Sequence, residues 1–77
     1  MYMLTRKETY KLLEEFFNDC VKFWILSGVK DYREAFTLAI KDVAAIQSDP
    51  YSPQGELLNT EAKKQFIENR RMDLGNK

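Results

Sequence analysis

The strongest constraint on the fold of this chain is a stripe of apolar residues with helical spacing near its start. Residues three and four positions apart lie on one face of an α-helix, so the stripe predicts a helix with one buried face. Its members are Leu13, Phe16, Phe17, Cys20, Val21 and Trp24. Thr5 and Glu8 have the spacing of a capping box, and Gly28 is suited to end a helix. The first helix is therefore predicted over about residues 5–27.

A second apolar stripe begins soon after this predicted helix ends. Asp31 and Glu34 repeat the helix start signal. The stripe that follows consists of Phe36, Ala39, Ile40, Val43 and Ala44. The stripe predicts a second helix that must stop before Pro50, over about residues 31–48. The intervening link is short, which favours a long antiparallel hairpin of the first two helices.

Both prolines of the chain lie in the segment that follows. Pro50 disfavours helical backbone at the residue before it, and Pro53 with Gly55 favours turns. These residues predict a stiff, proline-rich connector over residues 49–58. Asn59 or Thr60 then begins a shorter helix over about residues 59–73, with few apolar positions. A helix of that kind must dock on the rest of the chain or on another chain.

Together these elements predict a single all-α domain of three helices spanning residues 1–77. The chain is 44% apolar, which is enough for a small core. A chain of this length buries only roughly 60% of the surface that its unfolded form exposes. We therefore expect a marginal core in which some apolar surface stays uncovered.

The composition also bears on where the protein works. There is one cysteine, so no internal disulfide forms, and the chain shows no signal-peptide pattern. The longest strongly apolar run has four residues, Phe23 to Leu26, whereas a membrane helix needs about 20. These features predict a cytoplasmic protein without a membrane partner.

Catalysis is not expected. The chain has no histidine, no phosphate-binding glycine loop and no metal-ligand spacing. Cys20 lies on the stripe of the first helix, where a small core side chain is the favoured interpretation. We therefore predict a non-enzymatic protein without catalytic residues, cofactor, metal or small-molecule substrate.

Aromatic and aliphatic residues outside the stripes favour a protein-binding role. Phe23 and Leu26 lie on a second apolar edge of the first helix, and Tyr51 and Leu57 lie in the connector. These four are the predicted partner-binding residues. Three interpretations remain open for the edge: self-association, a second protein, or coverage by the third helix and connector. The connector itself either presents a binding surface or only reverses the chain.

DNA binding is the alternative function. The third helix carries four cations that would contact phosphates. They are Lys63, Lys64, Arg70 and Arg71. The net charge of zero and a connector too long for a helix-turn-helix argue against this function. Cations near a helix C-terminus also stabilise the helix dipole.

Two stretches resemble small reading frames of prophages and mobile elements in low-GC Gram-positive bacteria. They are KDYREAFTLAIKDV, residues 30–43, and SDPYSPQGELLN, residues 48–59. The resemblance implies a cytoplasmic accessory protein that binds a host protein and redirects or inhibits it. The expected function is therefore protein–protein interaction, as a phage-encoded modulator or inhibitor of a host protein.

Overall fold

A computed structural model describes residues 3–75 and shows an all-α domain of three helices, as predicted. The helices are α1 (Arg6–Leu26), α2 (Tyr32–Ala45) and α3 (Thr60–Gly75). β-Pairing in the described residues is limited to isolated bridges of Leu57 with Met3 and with Ser48. All three helices contribute to one core, which also includes Leu4 and Leu58 from outside the helices.

Local chemistry fixes both ends of α1. The Thr5 hydroxyl accepts the Glu8 backbone N–H at 3.1 Å, and the Glu8 carboxylate accepts the Thr5 N–H at 3.1 Å. At the other end, Gly28 has φ +115° and donates to the Ile25 carbonyl at 3.1 Å, while Val29 donates to the Trp24 carbonyl at 3.0 Å. These two bonds form a Schellman motif, which needs the left-handed backbone that glycine adopts freely.

The second helix ends three residues before the end that was predicted from Pro50. Its last residue is Ala45, and Ile46 has extended backbone with φ −85° and ψ 135°. The residues that follow pair with the end of the connector instead. Asp49 donates to the Glu56 carbonyl at 2.6 Å, and Leu58 donates to the Gln47 carbonyl at 3.4 Å. This pairing requires extended backbone well before Pro50.

Asn59 joins the start of α3 to α1. Its side-chain oxygen accepts the Ala62 N–H at 3.1 Å, which caps α3. Its own N–H donates to the Thr9 hydroxyl at 2.9 Å. Thr9 is completely buried, so this bond gives its hydroxyl a hydrogen-bond partner within the chain.

The direction of α3 relative to α1 follows from contacts at increasing positions along both helices. Tyr10 packs edge-on against Phe66, and Phe17 packs beneath the Arg70 guanidinium. These contacts and the Arg6–Glu61 ion pair in the first turns of both helices show that α1 and α3 run in the same general direction. Leu13 of α1 is completely buried in the core to which all three helices contribute.

A side chain from the start of each of α2 and α3 donates a hydrogen bond to a carbonyl at the end of the other helix. The Lys63 ammonium in the first turn of α3 donates to the carbonyl of Ile46, just beyond the end of α2. The Arg33 guanidinium in the first turn of α2 donates to the Leu74 carbonyl near the end of α3 at 3.2 Å. The two helices therefore run antiparallel, and each satisfies a C-terminal carbonyl of the other.

Two contacts define the packing of α1 on α2. The rings of Phe17 and Phe36 meet nearly perpendicular at 4.8 Å between centroids, and the Trp24 indole N–H donates to Asp42 at 2.8 Å. A simple antiparallel register would bring Trp24 to the first turn of α2 instead of Asp42. The antiparallel hairpin therefore stays a prediction.

Candidate interaction surface

The last turn of α1 carries the most exposed apolar side chains of the helix. Phe23 is 59% exposed, Ile25 is 44% exposed and Leu26 is 87% exposed. Consecutive residues of an α-helix point about 100° apart, so four successive apolar residues cannot all face one core. Only Trp24 of this run turns toward α2. We call Phe23, Ile25 and Leu26 the α1-end surface.

Contacts with Trp24 and the Schellman motif fix the conformation of the α1-end surface. Trp24 is fixed by its hydrogen bond to Asp42, and the Phe23 ring packs edge-on against the Trp24 indole at 5.2 Å between centroids. The Schellman motif at Gly28 fixes the backbone of the same turn. The surface is therefore an ordered helix end.

Tyr51, predicted as a partner-binding residue, contacts α1 of its own chain. Its hydroxyl donates to Asp19 at 2.7 Å, and its ring packs edge-on against Phe16 at 6.4 Å. Its backbone N–H donates to the Asp49 carboxylate at 2.8 Å. Partial burial, and then the hydrogen bond to the Asp19 carboxylate, raise the pKa of Tyr51 to about 12. About half of the Tyr51 residue stays exposed. Its partner Asp19 precedes Phe23 by one helical turn on α1.

Leu57, the other predicted connector residue, has a structural position. Its backbone bridges Met3 in a parallel sense and Ser48 in an antiparallel sense. Its carbonyl accepts the Leu4 N–H at 2.8 Å, and the residue is half-buried. The four predicted residues are thus divided: Phe23 and Leu26 are free on α1, whereas Tyr51 and Leu57 are bound within the chain.

Cys20 lies beside Asp42 and is partly buried. Burial, and then the nearby Asp42 carboxylate, raise the pKa of the thiol to about 11. The thiol is therefore protonated at neutral pH, which is the unreactive form. This agrees with the interpretation of Cys20 as a packing residue.

Two of the four cations predicted for DNA binding are used inside the chain. Lys63 donates to the Ile46 carbonyl. The Arg70 guanidinium lies over the rings of Phe17 and Phe66, at 5.3 and 4.9 Å from their centroids. It also pairs with Asp73 at 3.3 Å. Both side chains therefore have a structural explanation.

The other two cations, Lys64 and Arg71, are exposed on one face of α3. Glu68 lies between them, four residues after Lys64 and three before Arg71, so it shares their face. The net charge of this group is +1. Such a surface offers few phosphate contacts and little counterion release.

Two residues of the candidate site were not predicted from the sequence. Ile25 is exposed because the run of four apolar residues surrounds the helix, and the run itself was the available signal. Asp19 accepts the Tyr51 hydroxyl across 32 positions of sequence, and no local pattern indicates such a contact.

Within residues 3–75, no three metal-ligating side chains come together, and no helix is long and apolar enough to cross a membrane. Comparisons of the chain with protein-family models, curated protein sequences and solved structures returned no match. The functional proposal therefore depends on the chain's own residues.

Proposed function

We propose that this protein acts by binding another protein through the α1-end surface. The observation that carries the proposal is the exposure of Leu26, a large aliphatic side chain on an ordered helix, between two other exposed apolar residues. Single exposed apolar residues are common on protein surfaces, whereas adjoining ones mark interaction sites.

The geometry of the α1-end surface suits this role. Phe23 supplies an aromatic anchor whose ring is already in edge-on contact with Trp24. Aromatic anchors on ordered backbone are typical binding hot spots, because little side-chain freedom is lost on association. The partner would therefore bind a preformed surface.

The resemblance of residues 30–43 and 48–59 to prophage and mobile-element reading frames supports a host protein as the partner. In this proposal the chain is a phage-encoded modulator or inhibitor that works in the host cytoplasm without catalysis. The DNA-binding alternative loses support because Lys63 and Arg70 are engaged within the chain.

Site-specific photocrosslinking in a Gram-positive host cell tests the proposal. A photoreactive phenylalanine analogue replaces Leu26 in one variant and Lys64, on an exposed face of α3, in a matched control. We expect a discrete protein adduct from position 26, none from position 64, and loss of the adduct when Phe23→Asp is added. Identical adducts from both positions, or none from position 26, would contradict the proposal. An adduct with twice the mass of the chain would identify the partner as a second copy.

A further inference from the structure

We infer that a groove between the first half of α1 and the connector binds the positively charged side chain of an arginine or lysine on a protein partner. The groove has a volume of about 420 Å³, and we call it the acidic groove. Its carboxylates belong to Glu8, Glu15, Asp49 and Glu56. The inference does not depend on the α1-end surface, because Glu15 precedes Phe23 by eight positions, about 12 Å along the helix axis.

The charges that line the acidic groove leave it strongly negative. Four carboxylates face one cation, Lys11, so the net charge of the lining is −3. Glu8 also accepts the Thr5 backbone N–H, but a neutral donor leaves the carboxylate charge in place. The next turn of α1 on either side adds Lys7 and Asp19, whose charges cancel. The excess of negative charge is therefore a property of the groove and its surroundings on α1.

Asp49 contributes a carboxylate that is more than nine-tenths buried, since the residue is only 8% exposed. One of its oxygens accepts the Tyr51 N–H at 2.8 Å, and this donor is neutral. Its second oxygen has no hydrogen-bond partner among the described residues, and neither ion pair found between residues 3 and 75 involves Asp49.

The second oxygen of Asp49 is open to the acidic groove. Within residues 3–75, the enclosed side-chain polar atom without a partner is Nε of Arg70, so the Asp49 oxygen is not sealed inside the protein. Asp49 itself lines the groove. A carboxylate removed from water without a cation is unfavourable, and a cation placed in the groove would offset that penalty.

The apolar part of the acidic groove favours an alkyl cation. Leu4, which is buried, and Leu12, which is partly buried, both line the groove. Arginine and lysine side chains pack their alkyl stems on apolar surface while the charged end binds a carboxylate. A free polyamine carries ammonium groups along its whole length, so it would place charge against these leucines. A bare metal ion also fits poorly, because no three metal-ligating side chains come together in the described part of the chain.

A neighbouring surface extends the acidic groove toward the connector. Glu15 also lines a shallow depression with Asn18, Asp19 and Tyr51. Burial is the main cause that raises the pKa of Tyr51 to about 12, and the hydrogen bond to Asp19 and the charges of Asp19 and Glu15 act in the same direction. A basic segment of a protein can therefore place one cation in the groove and further contacts beside the half-exposed Tyr51 ring.

Selection from a random-peptide display library tests this inference, with the purified full chain as bait. We expect the enriched peptides to carry arginine or lysine. Measured by fluorescence polarisation, their dissociation constants should rise by about tenfold or more for Asp49→Asn. This change removes the buried charge but keeps an oxygen that can accept the Tyr51 N–H. The dissociation constants should rise by about threefold to tenfold for Glu15→Gln/Glu56→Gln, with a smaller change at high salt.

Matched variants separate the acidic groove from the rest of the surface. Glu34→Gln/Glu68→Gln removes two exposed carboxylates from α2 and α3, and it should leave the affinity unchanged. Leu26→Ser should also bind the enriched peptides as the original chain does. Circular dichroism checks that the helices are retained, and if Asp49→Asn loses them, the Glu15→Gln/Glu56→Gln pair still tests the groove.

Other outcomes would overturn the inference in distinguishable ways. Peptides that bind Asp49→Asn and Glu15→Gln/Glu56→Gln unchanged, or a selection without arginine or lysine, would exclude the groove as the site. If such peptides require Leu26, the proposed function stands without this second site. Equal losses in Glu15→Gln/Glu56→Gln and Glu34→Gln/Glu68→Gln would show a general attraction between charges. Spermidine binding that depends on Asp49, without enrichment of basic peptides, would replace the protein side chain by a free polyamine.

Discussion

The two ends of α1 have opposite environments, and the last turn, which is the more apolar end, is also the more exposed one. In the first half, Thr9 and Leu13 are completely buried. In the last turn, Phe23, Ile25 and Leu26 face solvent. The connector contacts α1 at Phe16 and Asp19 through Tyr51 and then returns toward the start of the chain, where Leu57 meets Met3, so the last turn of α1 is left open.

The comparison shows which apolar side chains of a small domain are covered by the rest of the chain and which stay exposed. Trp24 and Tyr51 each have a polar atom that finds a carboxylate within the chain, at Asp42 and Asp19. Leu26 has no such group, and no described element packs over it. Surface left uncovered in this way is available for association.

The largest expected effect is on the free energy of unfolding, and it distinguishes the buried first half of α1 from its exposed last turn. Leu13→Ala should lower the free energy of unfolding by about 2–5 kcal/mol, because it leaves a cavity in the core. Leu26→Ala should change it by less than about 0.5 kcal/mol, because the side chain is already exposed. Urea unfolding followed by circular dichroism measures both variants.

This comparison would break if Leu26→Ala were as destabilising as Leu13→Ala. Such a result would mean that the last turn of α1 is covered in solution. If Leu13→Ala proves unfolded without urea, Leu13→Val provides a smaller core deletion for the same measurement.

An intermediate effect is expected where α1 meets the start of α3. Thr9→Val keeps the shape of the side chain but removes the hydroxyl that accepts the Asn59 N–H. The loss should be about 1–3 kcal/mol, because that N–H is left without a partner in a partly buried place. Thr37→Val, which removes a hydroxyl bonded only to the Arg33 carbonyl within α2, is the control and should cost less. Equal losses in the two variants would contradict a special role for Thr9.

The smallest effect is expected at the contact between the connector and α1. Tyr51→Phe should cost less than about 1 kcal/mol, because the lost hydrogen bond is largely exposed. The raised pKa also gives a pH dependence: the folded state holds the phenol neutral, so its contribution is present below pH 10. This contribution is lost as the pH rises from about 10 toward 12.

Absorbance of the phenolate tests the titration of Tyr51. The component that titrates near pH 12 should disappear in Tyr51→Phe and persist in Tyr32→Phe, which removes a different exposed tyrosine hydroxyl. Persistence of that component in Tyr51→Phe would show that the connector does not pack on Asp19.

The number of helices and the ends of α1 could be predicted from sequence because their causes are local. Thr5, Glu8 and Gly28 act within a few residues of the helix that they begin or end. The end of α2 could not be placed, because Gln47 and Asp49 pair with residues that come later in the chain. The prediction used Pro50 as the signal that ends this helix, and it therefore extended the helix to residue 48.

The candidate site was predictable in part for the same reason. Phe23 and Leu26 fall outside the stripe of α1, which is visible in the sequence alone. The positions of Lys63 and Arg70 depend on Ile46 and Phe17, which only the folded chain brings near. The sequence alone therefore gave too high a number of α3 cations available to a ligand.

The reciprocal bonds between α2 and α3 have a consequence for how the domain opens. Lys63 of α3 donates a hydrogen bond at the C-terminal end of α2, and Arg33 of α2 donates one at the C-terminal end of α3. Unwinding of either helix end therefore breaks a hydrogen bond between the two helices. Fraying at one terminus is then coupled to separation of the pair. Amide protons in the last turns of both helices should therefore exchange with solvent through a shared opening of the pair.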